Sequence, residues 1–446
     1  MASGDSSGPV LPNAPNRTAN AGLGLTIGRT QARRWLLTRD FGLIWWSQVL
    51  SQVADGVSKL ALLWFVYAIT GSPLKTTMIG LLQTLPPIVF GPFIGVLVDR
   101  LPKKAILIVS DVTRGVLIGV VPCMVAVPHF TVGSLYMLVF LYGIATAVFV
   151  PTLSSAVPFM VPRRQFTAAN ALLQSTTSLG IMIGPALSGL GIALTGSQEV
   201  LCWNAVTYLA SAACLTPIRL REQGAPAHRT ESGSTVLRHM VDGMRYAFFT
   251  HRQLLVLIIM ASVYTFGTGA FTTLFPVFGS TMLGLGPVEV GYLWSWLGVG
   301  FFLTSIGLIR LSEWPMDKRV LTIAAACLLG GASVCALTWV TDVKAAALLI
   351  TCIGIGFGAW TPMAWGMIQE MAPANMLGRV MSAYTAVATA TSLAGMSFFG
   401  WVTEAFGSAI SVVGIGLILC CLALLSRWFS RHVHELRPAS AIRNSN

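Results

Sequence analysis

Charged side chains are scarce in this chain. Only 10% of its 446 residues are Asp, Glu, Lys or Arg, and 54% are hydrophobic. A soluble protein carries roughly 25% charged residues, because water has to wet its surface, so most of this surface must face something other than water. A soluble chain of this length would form two or three domains, but long apolar runs recur throughout the sequence and override that expectation.

The sequence also lacks the patterns of several functional classes. It has no GxxxxGK(S/T) phosphate-binding loop, and the glycines at 354, 356 and 358 lie in an apolar segment, where they serve helix packing. None of the eight cysteines forms a CxxC pair, so we expect reduced packing thiols. All six histidines lie outside the apolar segments, which argues against a membrane-embedded enzyme. We therefore expect no cofactor, no metal, no use of ATP and no enzymatic activity.

Twelve apolar runs are long enough to cross a bilayer, which takes about 20 residues in a helix. The runs are continuous, without alternation of polar and apolar residues, which favours helices over a membrane barrel. The predicted spans are 43–69, 76–98, 105–127, 130–151, 168–195, 199–217, 254–282, 287–310, 320–340, 344–368, 379–403 and 408–429. The sequence thus predicts an all-α membrane protein with twelve transmembrane helices.

Basic residues test this topology independently. If the N-terminus is cytoplasmic, 24 of the 28 Lys and Arg fall on the cytoplasmic side and only Lys75 and Lys344 fall outside. This bias follows the positive-inside rule and predicts a multi-pass protein of the cytoplasmic cell membrane with both termini in the cytoplasm. The net charge of +12 then reflects anionic lipid, and no nucleic-acid partner is expected.

The chain divides into two similar halves. A polar, basic connection separates the spans six and six, and four glycine pairs share one offset of 211 residues: 80 and 291, 184 and 395, 189 and 400, and 196 and 407. Such repeats are typical of transporters in which two bundles rock around a central site. We predict a disordered cytoplasmic tail at 1–38, six-helix bundles at 39–217 and 254–430, a linker at 218–253 and a cytoplasmic tail at 431–446.

The connection after the second span carries a motif with the residues Gly95, Asp99, Arg100, Lys103 and Lys104. It resembles the signature loop of the major facilitator superfamily, with Pro102 where that family has Gly. The resemblance covers residues 40–430 and implies two pseudo-symmetric six-helix bundles, with the loop as a latch on the cytoplasmic side. Asp111 and Arg114, in the third span, are predicted to form a gate network with Asp99. An ordinary positively charged loop is the alternative.

A second motif lies in the fifth span and contains Gly180, Gly184, Pro185 and Gly189. It is similar to the antiporter motif of the superfamily, with Ser188 in place of one Gly, and the resemblance implies export. Generic glycine packing is the alternative. The fourth span carries no charge, unlike the best-known drug-exporting branch, and the chain looks closer to the macrolide-efflux and enterobactin-exporting branch of drug:proton antiporters.

Two charged residues near the middle of the first span, Asp55 and Lys59, are the candidates for proton coupling. A charge at that depth is unfavourable by roughly 2.5–3.5 kcal/mol and should face the bundle interior. Desolvation favours the neutral form of a carboxylate, which makes reversible protonation of Asp55 feasible. Since Lys59 lies four residues further on, the two side chains can also form a static ion pair. Both alternatives stay open.

Other polar residues within the spans are candidates for a substrate cavity: Gln52, Gln83, Gln174, Asn204, Tyr208, Tyr264 and Tyr384. Hydrogen bonds between helices explain each of them equally well. Glu404, near the outer end of the eleventh span, is expected to be simply solvated.

The sequence as a whole predicts a monomeric secondary active transporter that exports a small amphipathic compound by proton antiport. Its partners would be the substrate, protons and membrane lipid. A siderophore exporter or a lysophospholipid transporter of the same fold is the nearest alternative. A membrane-embedded enzyme and a channel are more distant ones.

Overall fold

The computed structural model describes residues 39–125, 131–161, 166–220, 245, 252–311, 316–373 and 376–432. The predicted tail at 1–38 lies outside the described residues, as do most of the predicted tail at 431–446 and most of the predicted linker at 218–253. All secondary structure in the described ranges is helical.

Twelve long helices follow one another in the described ranges, each close to a predicted span. They are α1 (Arg39–Thr70), α2 (Pro73–Arg100), α3 (Lys103–Val125), α4 (Val132–Ala156), α5 (Phe166–Thr195), α6 (Ser197–Leu215), α7 (Arg252–Leu283), α8 (Pro287–Leu311), α9 (Met316–Ala336), α10 (Val343–Met371), α11 (Leu377–Phe406) and α12 (Ser408–His432). Short 3₁₀ helices extend α4 and α9. The predicted all-α fold is confirmed.

Composition and exposure identify a membrane protein. Within the described residues, nine helices are long and apolar enough to cross a bilayer, and α2, α6 and α11 are the long helices outside that set. Large apolar side chains lie on the surface with 66% to 73% of their area exposed, among them Phe93, Leu194, Trp203, Leu348 and Leu424. A water-soluble surface rarely carries so much exposed apolar area, so this chain is a multi-pass membrane protein.

The two halves have the same helix contacts. In the first half α1 packs on α5 and α6, α2 packs on α4, and α3 packs on α4 and α6. In the second half α7 packs on α11 and α12, α8 packs on α10, and α9 packs on α10 and α12. The predicted pseudo-symmetric bundles are therefore present, and each helix has its counterpart six helices later.

Glycines form matching turns at one end of the bundle. Gly71, between α1 and α2, and Gly284, between α7 and α8, both have φ of 63°. Gly196, before α6, and Gly407, before α12, have φ of 105° and 89°. L side chains are strained at such angles, so glycine is needed. We call this end the Gly71 face, and the opposite end, where α2 connects to α3, the Arg100 face.

The halves touch closely on the side of the Gly71 face. There α5 packs on α8, and a Cβ added to Gly189 would lie 3.2 Å from the Cα of Gly291. Across the molecule α2 packs on α11, and a Cβ added to Gly400 would lie 3.2 Å from the Cβ of Thr77. Small residues allow helix backbones to approach this closely, which closes the bundle at the Gly71 face.

Toward the Arg100 face, the described buried residues of the first half pack mainly with one another. Buried residues of the first half near that face, including Phe41, Phe149 and Leu215, form a core cluster of their own, whereas one larger cluster joins the halves elsewhere. A Cβ added to Gly95 on α2 or to Gly307 on α8 would meet no atom of the described residues within 4 Å. In the part of the chain that the structure describes, the close packing between the halves is therefore on the side of the Gly71 face.

Candidate functional site

Charged side chains meet in the middle of the first half. Asp55 of α1 pairs with Arg114 of α3, whose Nη1 lies 3.0 Å from Oδ1 and 3.3 Å from Oδ2 of the carboxylate. Arg114 also forms an ion pair with Asp111, one turn earlier in α3, and donates through Nη2 to the Ser51 hydroxyl at 2.9 Å. One guanidinium therefore serves two carboxylates, for which its planar fork of N–H donors is suited.

Two tyrosines complete the surroundings of Asp55. The hydroxyl of Tyr208 on α6 donates to Asp55 Oδ1 at 2.6 Å, and the hydroxyl of Tyr142 on α4 donates to the same oxygen at 3.1 Å. The two hydroxyl oxygens are 2.7 Å apart. Because this single carboxylate contacts α3, α4 and α6 from α1, its charge affects four of the six helices in this half.

Asp111 and Asp55 differ in their access to open space. Asp111 accepts hydrogen bonds from Ser211 at 2.6 Å and from Ser51 at 3.3 Å. The side chains of Asp111 and Arg114 are completely buried, whereas 25% of the Asp55 side chain is exposed. Asp55 is therefore the member of this charged group whose side chain is accessible from open space.

Aromatic rings enclose the guanidinium. The Cζ atom of Arg114 lies 4.4 Å from the ring centroid of Phe149 and 4.9 Å from that of Tyr208. A desolvated contact of this kind contributes up to about 2 kcal/mol, which offsets part of the desolvation of a buried charge. The contacts also fix the plane of the guanidinium and so its hydrogen bonds.

Small and polar residues hold α1 in position around Asp55. Asn204 of α6 donates to the carbonyl of Ala54 at 3.0 Å and to the hydroxyl of Ser58 at 2.6 Å. On the other side of α1, Gly56 lies against α5 so closely that an added Cβ would be 3.0 Å from the Cα of Gly184. Buried hydrogen bonds and backbone contact thus flank Asp55 on both sides.

Lys59 does not pair with Asp55, so the static ion pair considered from the sequence is wrong. The Lys59 side chain is exposed, it forms no ion pair with a described residue, and its Nζ lies 5.5 Å from the ring centroid of Trp294 on α8. Arg114 contacts both oxygens of Asp55 through Nη1 while its Nη2 contacts Asp111 and Ser51, so Arg114 is the partner of Asp55. Lys59 instead faces the other half.

Asp111 and Arg114 belong to the centre around Asp55, whereas the sequence grouped them with Asp99 as a gate. Asp111 lies eight residues into α3, which is about 12 Å from its first residue at 1.5 Å per residue. That depth brings it to the level of Asp55. The side chain of Asp99 lies outside the described residues, so the gate itself stays a prediction.

The remaining residues of the signature loop lie at the Arg100 face. Arg100 is exposed in the last turn of α2. Lys104 donates through Nζ to a carbonyl at the end of α6 at 2.5 Å, and the Nζ of Lys103 lies 5.7 Å from the ring centroid of Phe159. These contacts hold the start of α3 within the first half. Gly95, as described above, has no close neighbour among the described residues.

The glycine motif allows α5 to pack closely both on α1 and on the second half. A Cβ added to Gly180 or Gly184 would collide with the backbone of α1, and at Gly184 the Cα of Gly56 would be 2.7 Å away. Further along α5, the backbone carbonyl of Pro185 and the Cα of Gly189 contact α8. The helix that touches the Asp55 segment is therefore the same helix that joins the two halves.

The residues predicted for a cavity fall in different surroundings. Asn204 and Tyr208 belong to the Asp55 centre. Gln52 on α1 and Gln83 on α2 are half-buried, and the Nε2 of Gln83 finds no hydrogen-bond partner among the described residues. The side chain of Gln174 lies outside the described residues.

The second half has an aromatic cluster on α7, α10 and α11, the counterparts of α1, α4 and α5. Tyr264 stacks on Trp360 with ring centroids 4.9 Å apart and donates to the carbonyl of Phe357 at 2.8 Å. The indole N–H of Trp360 donates to the hydroxyl of Tyr384 at 3.0 Å. Thus the described charged centre lies in the first half, and the aromatic cluster of the second half shares with it two counterpart helices, α7 and α10, which match α1 and α4.

Several members of the centre were not predicted. Tyr142 lies in the fourth span, which carries no charge, but a tyrosine inside an apolar helix is itself a signal. Ser51 and Ser211 could not be singled out from the sequence, because serine is common in membrane helices and its hydroxyl often forms a hydrogen bond with the backbone of its own helix.

Comparisons with known proteins agree with this architecture. The Major Facilitator Superfamily model matches residues 44–396. The chain is 25% identical over 408 residues to the multidrug efflux pump Tap of Mycolicibacterium fortuitum, covering 89% of this chain and 97% of that protein. It is 23% identical over 393 residues to macrolide efflux protein A of Streptococcus pyogenes, covering 86% and 94% of the two chains.

Solved structures support the same fold. The structure is similar to that of a peptide transporter POT, with a TM-score of 0.68 and 13% identity over 89% of this chain and 95% of that one. It is also similar to a bacterial homologue of the human lysosomal transporter Spinster, with a TM-score of 0.67 and 14% identity over 90% and 98% of the chains. The resemblance seen in the sequence is confirmed: this chain belongs to the Major Facilitator Superfamily.

Proposed function

We propose that this chain is a secondary active transporter that exports a small amphipathic compound across the cytoplasmic membrane by proton antiport. The functions of the efflux proteins to which it is similar support this proposal, as does the glycine motif of α5. The observation that carries the coupling mechanism is the position of Asp55, a partly exposed carboxylate held by Arg114 in the middle of a span. Both halves of the bundle are present in one chain, which supports a monomer as the working unit.

In this proposal all twelve helices cross the membrane and the Arg100 face is cytoplasmic. The distribution of basic residues supports that orientation. The helices α2, α6 and α11, which are not among the nine most apolar helices, each begin at one face and end at the other, because the helices before and after them in the chain do so. The described arrangement would then be the state that is open to the cytoplasm and closed at the Gly71 face.

Protonation of Asp55 is the proposed coupling step. When it is ionised, Asp55 accepts hydrogen bonds from Arg114, Tyr142 and Tyr208, and together with Asp111 and Arg114 it gives the centre a net charge of −1. A proton on Asp55 brings that net charge to zero and replaces charge-assisted hydrogen bonds with neutral ones of about half the strength. The contact between Asp55 on α1 and Arg114 on α3 then weakens. Because α5 packs on both α1 and α8, a movement of α1 is transmitted through α5 to α8.

The proposed cargo site lies between the charged half and the aromatic half. On one side are Asp55 and the ammonium of Lys59, and on the other are Trp294 and the cluster of Tyr264 and Trp360. A compound with one polar and one apolar end would contact both sides once Trp294, Tyr264 and Trp360, which are buried in the described arrangement, become accessible. Because the chain has no phosphate-binding loop, a proton gradient is the proposed energy source.

Everted vesicles with a pH-sensitive dye in the lumen test the proposal. The vesicles are energised to an acidic lumen, and a panel of macrolides, cationic dyes, a siderophore and a lysophospholipid is added in turn. We expect at least one compound to accumulate and to release protons from the lumen. In Asp55→Asn, which keeps the size of the side chain but cannot carry a proton, we expect proton-coupled transport to be lost while the protein still folds.

Asp111→Asn is the matched control, because Asp111 also forms an ion pair with Arg114 but its side chain is completely buried. We expect the transport that remains in this variant to keep its coupling to protons. Unchanged proton-coupled transport in Asp55→Asn would remove Asp55 from the mechanism. Failure of every compound in the wild-type vesicles would count against export of amphipathic cargo.

A further inference from the structure

Glu404 reaches from one half of the molecule to the other. It lies in the last turn of α11, in the second half, while its carboxylate contacts the start of α2, in the first half. The Oε2 atom accepts a hydrogen bond from the backbone N–H of Leu74 at 3.0 Å and another from the hydroxyl of Ser72. Ser72 is the N-cap of α2, and its hydroxyl oxygen accepts from the N–H of Lys75 at 3.2 Å. The expectation of a simply solvated Glu404 is therefore wrong.

These two hydrogen bonds are the only ones that join the halves between described residues. Other close contacts across the boundary include small residues and backbone, such as Thr77 with Gly400, one turn from Glu404 along α11, and the cation–π contact of Lys59 with Trp294. Glu404 therefore adds charge-assisted, directional hydrogen bonds to this interface. It lies at the Gly71 face, where the interface ends.

The start of a helix is a favourable place for a carboxylate. The first N–H groups of α2 have no partner within the helix, and the helix dipole puts partial positive charge there. A hydrogen bond to an ionised acceptor is about twice as strong as a neutral one. Glu404 is exposed, so water competes for it and the contact is weaker than a buried one.

We propose that Glu404 is a latch residue, which holds the Gly71 face closed by capping α2 of the opposite half and releases each time that face opens. This inference rests on the alternating access of the proposed function. Opening the Gly71 face has to separate α2 from α11, because the two helices pack on each other there. The contact is present only in the closed arrangement, so its loss shifts the equilibrium toward the open one.

Asp342 offers a matched control on the same face. It caps α10 by accepting from the N–H of Ala345 at 3.1 Å, and α10 belongs to the same half as Asp342. Both residues are exposed carboxylates that bind a helix start. Only Glu404 does so across the boundary, so only Glu404 should affect the opening of the Gly71 face.

The test measures the distance between two spin labels at the Gly71 face in the full chain in nanodiscs, without cargo or a proton gradient. The labels are introduced as non-natural amino acids at the exposed positions Lys75 and Lys344, one in each half. Double electron–electron resonance then gives the ratio of long to short distances. We expect Glu404→Ala to raise this ratio about fivefold to tenfold, Glu404→Gln to raise it by less, and Asp342→Ala to leave it unchanged.

A ratio for Glu404→Ala within a factor of two of wild type would overturn the proposal, and so would an equal shift in Asp342→Ala. If Glu404→Ala does not fold, Glu404→Gln is judged by the same twofold limit. Because no cargo is used, a negative result leaves the proposed export untouched. A failed transport assay, in turn, leaves this measurement valid.

Discussion

Replacing Arg114 by glutamine removes four hydrogen bonds at once, two to Asp55 and one each to Asp111 and Ser51. Glutamine is neutral and too short to span both carboxylates, so two negative charges lose their common cation. Asp55 can turn toward open space, but Asp111 is completely buried and cannot. The enclosed Asp111 carboxylate is therefore the main source of the expected destabilisation.

The magnitude follows from this geometry. Removal of one partner from a buried ion pair destabilises a protein by about 3–5 kcal/mol. Within a membrane the unfolded state keeps its helices and finds alternative partners, which lowers the measured effect. We therefore expect Arg114→Gln to lower the free energy of unfolding by about 2–4 kcal/mol, measured by titration of the micelle-embedded protein with SDS and followed by circular dichroism.

A double mutant separates the loss of an ion pair from general damage. Asp111→Asn added to Arg114→Gln removes the stranded charge, and we expect it to restore at least about 1 kcal/mol. Asp111→Asn alone should destabilise, because Arg114 then loses one of its two anions. Wild-type stability of Arg114→Gln, or strict additivity of the two changes, would refute the reasoning.

Two further substitutions probe the helix contacts and the hydroxyls around the centre. Gly184→Ala pushes a Cβ against Gly56, which has no side chain to move, so we expect less monodisperse protein by size-exclusion chromatography than for Gly95→Ala, where the space is open. Equal yields would contradict the contact. Tyr208→Phe removes the 2.6 Å hydrogen bond to Asp55, and we expect a loss of about 1.5–3 kcal/mol in the SDS titration and slower proton-coupled efflux. An unchanged Tyr208→Phe would show that the hydroxyl does not support the carboxylate.

The helices could be predicted from the sequence because each apolar run carries its own signal. A span of the required length and hydropathy is a local property, and the repeat offset and the basic loops set its order and direction. Asp55 could be found for the same reason, since a charge in the middle of a span stands out in any sequence.

The partner of Asp55 could not be predicted, because it depends on how helices pack. Lys59 is near Asp55 along α1, whereas Arg114 is 59 residues away in the chain. Only the contact of α1 and α3 with α6 brings Arg114, Asp111 and Tyr208 around the carboxylate. The contact between Glu404 and the start of α2 joins residues more than 300 positions apart and depends on tertiary structure in the same way.

The most direct test asks whether protonation of Asp55 controls which face is open. Spin labels at Leu101 in the first half and Gln369 in the second, both exposed near the Arg100 face, report the distance between the halves there at acidic and neutral pH. We predict two distance populations whose ratio shifts with pH in the wild type and stays constant in Asp55→Asn. The same pH-dependent shift in both proteins would contradict the mechanism.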